Sequence, residues 1–339
     1  MLFRVKSILI ERAILGFVPD MTKLKDKIQT GLDESPMLVL GAQILIGFAF
    51  SANFQPTFRD LPARSQNLDL LALALMLITI CLLISSTAFH QLTEDGNDSV
   101  RLHRFTTHVM ESVLILFSLG VGADIYVSAE GIVGHTTAVV LAVIVTAIAL
   151  FFWYGPLLLV PTDKKDKGKG EDMNRASEES PRQTPVHDKI RHVLTEARVI
   201  LPGNQALLGF QFAVTLQQGF RDLPSALKLI HLISLSLIAI STILLLSPAP
   251  YHRIVEGGEE TESFYRVASK LMLSALPPMA AGVSADFFVV VYKMSNRFGL
   301  SALAALLMFC IFCGTWFGYT LYRKHYSSRL VNVPSRAMR

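Results

Sequence analysis

The stretch Phe58-Arg59-Asp60-Leu61-Pro62 occurs a second time as Phe220-Arg221-Asp222-Leu223-Pro224, 162 residues later in the chain (220 − 58). The same offset superposes residues on both sides of that stretch: Asp26-Lys27-Ile28 on Asp188-Lys189-Ile190, Gly41 on Gly203, Gln43 on Gln205, His90 on His252, Arg104 on Arg266 and Ala123-Asp124 on Ala285-Asp286. With one residue inserted, Trp153-Tyr154-Gly155 matches Trp316-Phe317-Gly318. A single gap over roughly 130 residues indicates a tandem duplication.

The composition is that of a membrane protein. Of the 339 residues, 51% are hydrophobic and only 17% are charged, and the mean hydropathy is +0.44. Soluble domains carry about 25% charged residues. The apolar residues fall in blocks of roughly 20, long enough to cross a hydrocarbon core of about 30 Å. A soluble all-helical protein is the competing interpretation, and it leaves such blocks in series unexplained.

The apolar blocks predict an all-α fold of eight transmembrane helices, arranged as two parallel tandem four-helix repeats. The predicted spans lie near residues 37–55, 69–89, 107–127 and 135–160 in the first copy, and near 199–218, 227–247, 269–292 and 300–322 in the second. Because each copy holds an even number of spans, both copies enter the membrane from the same side.

The distribution of basic residues predicts the orientation. Of the 31 Lys and Arg residues, 25 lie in the termini and in the loops after spans 2, 4 and 6, which all fall on one side of the membrane. Cytoplasmic segments carry this excess of positive charge. We therefore expect both termini in the cytoplasm. The net charge of +4 follows from this topology and indicates no nucleic-acid partner.

The chain divides into five segments. Residues 1–25 form a cytoplasmic or interfacial segment, 26–160 the first repeat, 188–324 the second repeat and 325–339 a cytoplasmic tail. Residues 161–187 are rich in Lys, Asp, Glu, Ser, Gly and Pro, a composition that predicts a disordered linker. The three cysteines lie inside predicted spans, which favours buried thiols over a disulfide framework.

Three motifs of the second copy carry a resemblance to a family. Leu201-Pro202-Gly203 with Gln205, Phe220-Arg221 with Leu223-Pro224, and Pro248-Ala249-Pro250-Tyr251-His252-Arg253 resemble the motifs of an uncharacterised bacterial family of four-span membrane proteins. The first copy departs from them, with Leu40 for the first proline and Gln91 for the last arginine. The resemblance implies the fold, a location in the bacterial inner membrane and no catalytic residues. If single-copy relatives are dimers, this chain is a fused pseudo-dimer; homo-oligomers are also possible.

Asp124 and Asp286 are the first candidate functional residues. Each follows small residues in a span, and small residues let helices approach closely, so both aspartates should face the bundle. They could bind a proton or a cation. The alternative is a structural ion pair with Arg59 or Arg221 near the outer interface. Together with Asp60 and Asp222, these arginines could instead form an outer vestibule or stabilise the turns.

His90 and His252 end predicted spans 2 and 6 at the inner side. Because histidine changes charge near neutral pH, they could accept protons or gate a pathway. An interfacial, hydrogen-bonded histidine is the alternative, and haem ligation from facing helices is a third.

The remaining candidates have mainly structural interpretations. Arg104 and Arg266 begin spans 3 and 7, where they would snorkel to the inner interface. Gln43 and Gln205 would hydrogen-bond between helices or line a pathway. Pro277-Pro278 should interrupt span 7.

Three functions remain open on the sequence alone. The favoured one is a small-ion or proton channel or transporter, and the alternative is a non-catalytic scaffold or accessory subunit. An intramembrane enzyme or a haem-binding redox protein is the third. The chain has no phosphate-binding loop, no dinucleotide glycine motif, no His-Glu-x-x-His and no nucleophile elbow. The sequence therefore predicts no catalytic residue, no metal site and no cofactor.

Overall fold

The structure is a computed structural model that describes residues 38–159 and 184–331, and every regular element in these ranges is helical. The first half contains α1 (Leu38–Ala52), a 3-10 helix (Pro56–Asp60), α2 (Ala63–Leu92), α3 (Val100–Val133) and α4 (His135–Leu159). The second half contains α5 (Val186–Thr215), α6 (Gln218–Arg221), α7 (Ser225–Leu246), α8 (Pro248–Ile254), α9 (Glu262–Ser295), α10 (Phe298–Cys313), a π-helical segment (Gly314–Tyr319) and α11 (Thr320–Val331). The expectations for residues 1–25 and for most of the linker and tail lie outside the described residues.

Six helices of the described chain are long and apolar enough to cross a membrane, which makes this a multi-pass membrane protein. They are α2, α3, α4, α7 with α8, α9, and α10 continued into α11. The eight predicted spans are therefore only partly reproduced. The described part of α1 is apolar but shorter than a span. Helix α5 has 30 residues, but its apolar stretch contains Asn204, Gln205 and Gln211, which lower its hydropathy.

The two halves share one core. In the first half α3 packs on α2 and α4, and in the second half α9 packs on α7, α5 and α10. Helices α2 and α9 also touch, and the π-helical segment lies against α2. There the Trp316 indole, fully buried, donates a 2.8 Å hydrogen bond from Nε1 to the Cys81 carbonyl. The main apolar cluster accordingly contains residues from both halves.

The bundle has two ends, which we call the linker face and the far face. At the linker face the turn between α2 and α3 meets Thr184, whose hydroxyl accepts a 2.9 Å hydrogen bond from the Asp98 amide. At the far face the Gly219 amide donates to the Phe54 carbonyl at 3.2 Å. Lys293 donates to the Asn53 carbonyl at the same end. Contacts between the two halves therefore close both ends of the bundle.

The outermost helices present apolar side chains to their surroundings. On α4, Val143, Phe151 and Phe152 are each more than 60% exposed, and on α10 Leu303 and Leu306 are more than half exposed. Such continuous apolar surface suits lipid.

Two sequence expectations fail in these helices. Helix α9 continues without interruption through Pro277-Pro278, because neighbouring helices and local adjustments accommodate proline in a membrane helix. Of the three cysteines, Cys81 is buried and Cys313 is half-buried, but Cys310 is exposed on α10. The expectation of buried thiols is thus wrong for Cys310, which lies on the outer surface of a peripheral helix.

Candidate functional site

The first buried polar cluster lies on the far-face side of the second half. Asp286 on α9 and His231 on α7 form its centre, with Oδ1 and Nδ1 2.8 Å apart and side chains only 10% and 1% exposed. Gln211 on α5 donates from Nε2 to Asp286 Oδ2 and, at 2.8 Å, to Ser234 Oγ. Three helices thus contribute to one hydrogen-bonded group. We call the two residues at its centre, His231 and Asp286, the far-face pair.

The hydrogen bonds of His231 determine how many protons the far-face pair holds. Nε2 lies 3.0 Å from the Gln211 backbone carbonyl. A carbonyl only accepts, so Nε2 carries a hydrogen. The contact between Nδ1 and Asp286 then needs one further proton, carried either by the imidazole or by the carboxyl group. In either form the pair is neutral overall, and losing that proton leaves a buried negative charge.

Close helix packing brings the far-face pair together. A Cβ at Gly282 of α9 would lie 3.0 Å from the Ile238 side chain and 3.1 Å from the Ser234 carbonyl of α7. Glycine at this position therefore lets α7 and α9 approach, and Asp286, four residues on, faces the bundle and not lipid.

The first half has different residues at the positions equivalent to those of the far-face pair. The offset of 162 residues places Asp69 at the position of His231 (231 − 162) and Asp124 at that of Asp286. Asp69 is buried and accepts a 2.8 Å hydrogen bond from Asn53 Nδ2. Asp124 is half-buried and lies close enough to Asp69 for the two carboxyl groups to interact electrostatically. One half therefore pairs a histidine with a carboxyl group, and the other has carboxyl groups at both equivalent positions.

An apolar cleft between the two halves reaches the far-face pair. Asp286 and Gln211 contribute its polar wall. Its apolar wall comes from both halves, including Phe50, Leu73, Leu77, Leu207 and Phe287. The carboxyl group of Asp286 therefore adjoins a cleft and is not sealed in packed side chains on every side.

The second buried polar cluster lies at the linker face, and we call it the linker-face cluster after His90, Gln91, Asp98, His192 and Glu196. His90 Nδ1 and Glu196 Oε1 are 2.6 Å apart, and neither side chain has any exposed surface. Gln91 Nε2 donates to the other Glu196 oxygen at 2.6 Å. Gln91 Oε1 in turn accepts from Ser269 Oγ at 2.8 Å. This chain of bonds fixes the orientation of the Glu196 carboxyl group.

Two further side chains complete the linker-face cluster. The rings of His192 and His90 have centroids 5.5 Å apart. His192 Nδ1 lies 3.6 Å from Asp98 Oδ1, beyond hydrogen-bonding distance. His192 Nδ1 is buried and has no hydrogen-bond partner in the described chain.

Another buried carboxyl group, Glu130, has the contacts of a structural ion pair. It accepts hydrogen bonds from Arg64 Nε, Ser65 Oγ and, at 2.8 Å, the Tyr126 hydroxyl. His135 Nδ1 lies 3.7 Å away. Because a fixed cation and several donors surround it, the hydrogen-bonding capacity of this carboxylate is satisfied by its neighbours.

The structure separates the candidates of the sequence into buried and exposed ones. Asp286, His90 and Gln43 are buried, and Asp124 and His252 are half-buried. The other candidates share an exposed position: Arg59, Asp60, Arg221, Asp222, Arg104, Arg266 and Gln205.

The partners of these candidates differ from those the sequence suggested. One alternative from the sequence is an ion pair of Asp286 with Arg59 or Arg221, but the described contacts of its carboxyl group are with His231 and Gln211. His252 lies against the Phe264 ring, with centroids 4.5 Å apart, whereas His90 contacts Glu196. The two histidines therefore have different environments, and haem ligation by the pair finds no support in this arrangement.

Several residues of the two clusters escaped the sequence analysis: His231, Gln211, Glu196, His192 and Asp98. One signal for His231 was available. Asp69 and His231 occupy equivalent positions inside predicted spans, and ionisable residues at that depth are costly and mark functional sites. Glu196 had a weaker signal, since Glu34 occupies the equivalent position in the first copy (196 − 162).

The comparison with protein families agrees with the duplication. Residues 22–156 and 179–320 each match the same family, described as a family of unknown function (DUF6328). No curated protein matches the chain, and no solved structure matches it.

Proposed function

The chain belongs to the family of unknown function DUF6328, which it contains twice in tandem, and from this premise we propose that it transports protons across the bacterial inner membrane. In this proposal the chain has eight spans in two parallel four-helix repeats, with both termini in the cytoplasm. The far-face pair and the linker-face cluster exchange protons at the two ends of a buried pathway along α5.

The course of α5 supports its role as a span. Near its start, His192 lies beside Asp98 at the linker face. Just after its end, Gln217 donates to Ser51 Oγ at 2.6 Å at the far face. Thirty residues rise about 45 Å, which exceeds the hydrocarbon core of about 30 Å. Helix α1 lies against α5 on the same path, with its Gln43 facing Gly203.

A buried polar stripe on α5 is the observation that carries the proposal. Glu196, Asn204 and Gln211 follow one another at intervals of 8 and 7 residues, close to two helical turns each, so they share one face. Their exposed fractions are 0%, 0% and 3%. The 15 residues from Glu196 to Gln211 span about 22 Å along the helix axis. The stripe therefore joins the linker-face cluster to the far-face pair across most of a membrane.

Polar atoms without a protein partner line this stripe. Both amide atoms of Gln43, Asn204 Oδ1 and Gln211 Oε1 are buried and make no hydrogen bond with the described chain. Asn204 has a partner only through its Nδ2, 2.8 Å from Ser241 Oγ. Buried polar groups are nearly always hydrogen-bonded, and ordered water supplies the missing partner when protein does not. Water along α5 would complete a chain for proton transfer.

The two ends of the stripe suit proton exchange. The far-face pair holds one proton in its neutral form, and Glu196 shares a short hydrogen bond with His90. Neither arrangement uses the permanent charge of an arginine, in contrast to Glu130. A carboxyl group held by histidine can change its protonation state at lower cost than one held by a fixed cation.

The test is proton flux in proteoliposomes that contain purified protein and a trapped pH-sensitive dye. Asp286→Asn keeps the size of the side chain and removes its ionisable group, so we expect flux to fall to background. The double variant with Asp124→Asn shows whether the first half contributes. Asp222→Asn is the matched control, because this exposed carboxyl group lies at the far face outside the pair.

The alternative, a non-catalytic scaffold, predicts a different result. In that case the folded wild-type protein shows no flux under any pH gradient or membrane potential, and Asp286→Asn lowers only the melting temperature. Flux that persists in Asp286→Asn would also overturn the proposed pathway. Replacing K⁺ by Na⁺ in the same assay shows whether a cation accompanies the proton.

A further inference from the structure

Three unpartnered atoms meet in the linker-face cluster. His90, Asp98 and His192 each offer one ligand atom, and these atoms lie within 4.8 Å of one another. His90 Nε2, Asp98 Oδ1 and His192 Nδ1 are buried and have no hydrogen-bond partner. Their side chains are 0%, 7% and 1% exposed. Three potential ligand residues, each with a buried and unpartnered polar atom, thus lie close together.

We propose that His90, Asp98 and His192 bind one divalent first-row transition-metal ion, with Zn²⁺ as the representative. Ligand atoms about 2.0–2.1 Å from a tetrahedral ion lie roughly 3.3 Å apart. The 3.6 Å between His192 Nδ1 and Asp98 Oδ1 is too long for a hydrogen bond and close to that spacing. Binding would draw the three side chains together from the separations of up to 4.8 Å that they have here.

The surroundings of His90 match those of metal-binding histidines. Glu196 occupies Nδ1 at 2.6 Å and leaves Nε2 free. A carboxylate that accepts from one ring nitrogen orients the other toward a metal and makes it more basic. Gln91 holds the second oxygen of Glu196, so this carboxylate is itself held in place.

The donor atoms define the class of metal. Imidazole nitrogen suits zinc, copper, iron and nickel, whereas Mg²⁺ and Ca²⁺ prefer oxygen ligands alone. Three protein ligands leave a fourth position for water. The ion would also join the two halves, because His90 and Asp98 belong to the first and His192 to the second. This assignment replaces the sequence expectation that the chain has no metal site.

The site shares His90 and Glu196 with the proposed proton pathway, but its test measures metal binding alone, so the two proposals can fail separately. Metal-free protein without an affinity tag is titrated in detergent with Co²⁺, whose tetrahedral complexes absorb strongly in the visible, and Zn²⁺ is then added as competitor. We expect one Co²⁺ per chain, displaced by Zn²⁺. Asp98→Asn and His192→Gln should weaken binding by more than the roughly 10–100-fold that second-shell changes cause. Glu196→Gln should fall within that range.

His252→Gln is the matched control. His252 is the repeat counterpart of His90 and also has a buried, unpartnered Nε2, but it belongs to no ligand cluster within the described ranges. Its replacement should leave Co²⁺ affinity unchanged. Gel filtration and melting temperature verify folding, and Asp98→Asn, with an isosteric side chain, is the milder of the two ligand variants. Absence of saturable Co²⁺ binding by the wild type, or unchanged affinity in folded Asp98→Asn, would overturn the assignment.

Discussion

His231 Nδ1 lies 2.8 Å from Asp286 Oδ1, at the two positions that hold Asp69 and Asp124 in the first half of the chain. Duplication therefore produced two versions of one site with different proton chemistry. The histidine version is neutral with one shared proton, whereas two neighbouring carboxyl groups repel each other unless one of them is protonated. We expect the second half to carry the exchangeable proton and the first half to be more tolerant of substitution.

Removing one member of the far-face pair should cost more stability than removing both. His231→Leu leaves Asp286 buried with Gln211 as its remaining partner, which should lower the free energy of unfolding by about 3–5 kcal/mol. The double change with Asp286→Leu replaces the pair by apolar side chains and should cost less than His231→Leu alone. Chemical denaturation in detergent measures the free energy of unfolding of His231→Leu, Asp286→Leu and the double variant. If the costs of the two single variants add up to the cost of the double variant, the pair is not coupled.

The conservative change at the same pair separates function from stability. Asp286→Asn keeps a hydrogen-bonding side chain next to His231, so we expect a loss of about 1–3 kcal/mol at most. Exposed Asp222→Asn should stay within about 0.5 kcal/mol of wild type. A loss as large as that of His231→Leu would mean that the negative charge of Asp286 itself stabilises the fold.

The fold was predictable where it depends on composition and repetition. Apolar blocks marked six long helices, and small residues next to Asp286 marked the close contact between helices around Gly282. The partners within each site were not predictable, because they are far apart in sequence. His231 and Asp286 are 55 residues apart, and His90 and Glu196 are 106 apart. Hydropathy places a helix in the membrane but does not determine which of its faces meets a neighbour.

Helix α5 shows how polar residues can obscure the signal of a membrane span. Asn204 and Gln211 belong to the buried polar stripe, and the same residues reduce the apolar character by which a span is recognised. The sequence interpretation placed a span at residues 199–218 because of the apolar block there. The polar residues that line the proposed pathway lower the hydropathy of that block.

The position of the Gln43 side chain beside α5 should depend on Gly203. A Cβ at this position would lie 1.1 Å from Gln43 Oε1, so Gly203→Ala forces the Gln43 amide out of its present place. We expect a loss of about 1–3 kcal/mol, as for other overpacked cores. Shortening the opposing side chain with Gln43→Ala in the same protein should recover most of it. Unfolding of the single and double variants in detergent measures the coupling.

A second glycine on the same helix provides the control. Gly209 has open space around its Cα, with nothing within 4 Å of an added Cβ. Gly209→Ala should therefore be neutral or stabilising by up to about 1 kcal/mol, since alanine is the better helix former. Equal losses at Gly203 and Gly209 would contradict the close contact with Gln43.

Gln43 offers a test in which stability and transport move in opposite directions. Both of its amide atoms are buried without a hydrogen-bond partner in the described chain. Gln43→Leu replaces this amide, whose proposed partner is water, by an apolar side chain, so we expect the free energy of unfolding to rise by up to about 3 kcal/mol. The same change removes the polar lining beside Asn204 and should reduce proton flux at least tenfold. A stabilised protein with undiminished flux would place the pathway elsewhere.

The topology can be tested on either side of α5. Arg191 and Asp222 are exposed, before and after the membrane-crossing part of that helix in the proposed eight-span arrangement. In a background free of Cys81, Cys310 and Cys313, we expect a membrane-impermeant maleimide to label Asp222→Cys in spheroplasts, and Arg191→Cys only after permeabilisation. Positive charge on the linker side supports this orientation. Labelling of both positions from one side would show that α5 does not cross the membrane. The eight-span proposal would then be wrong.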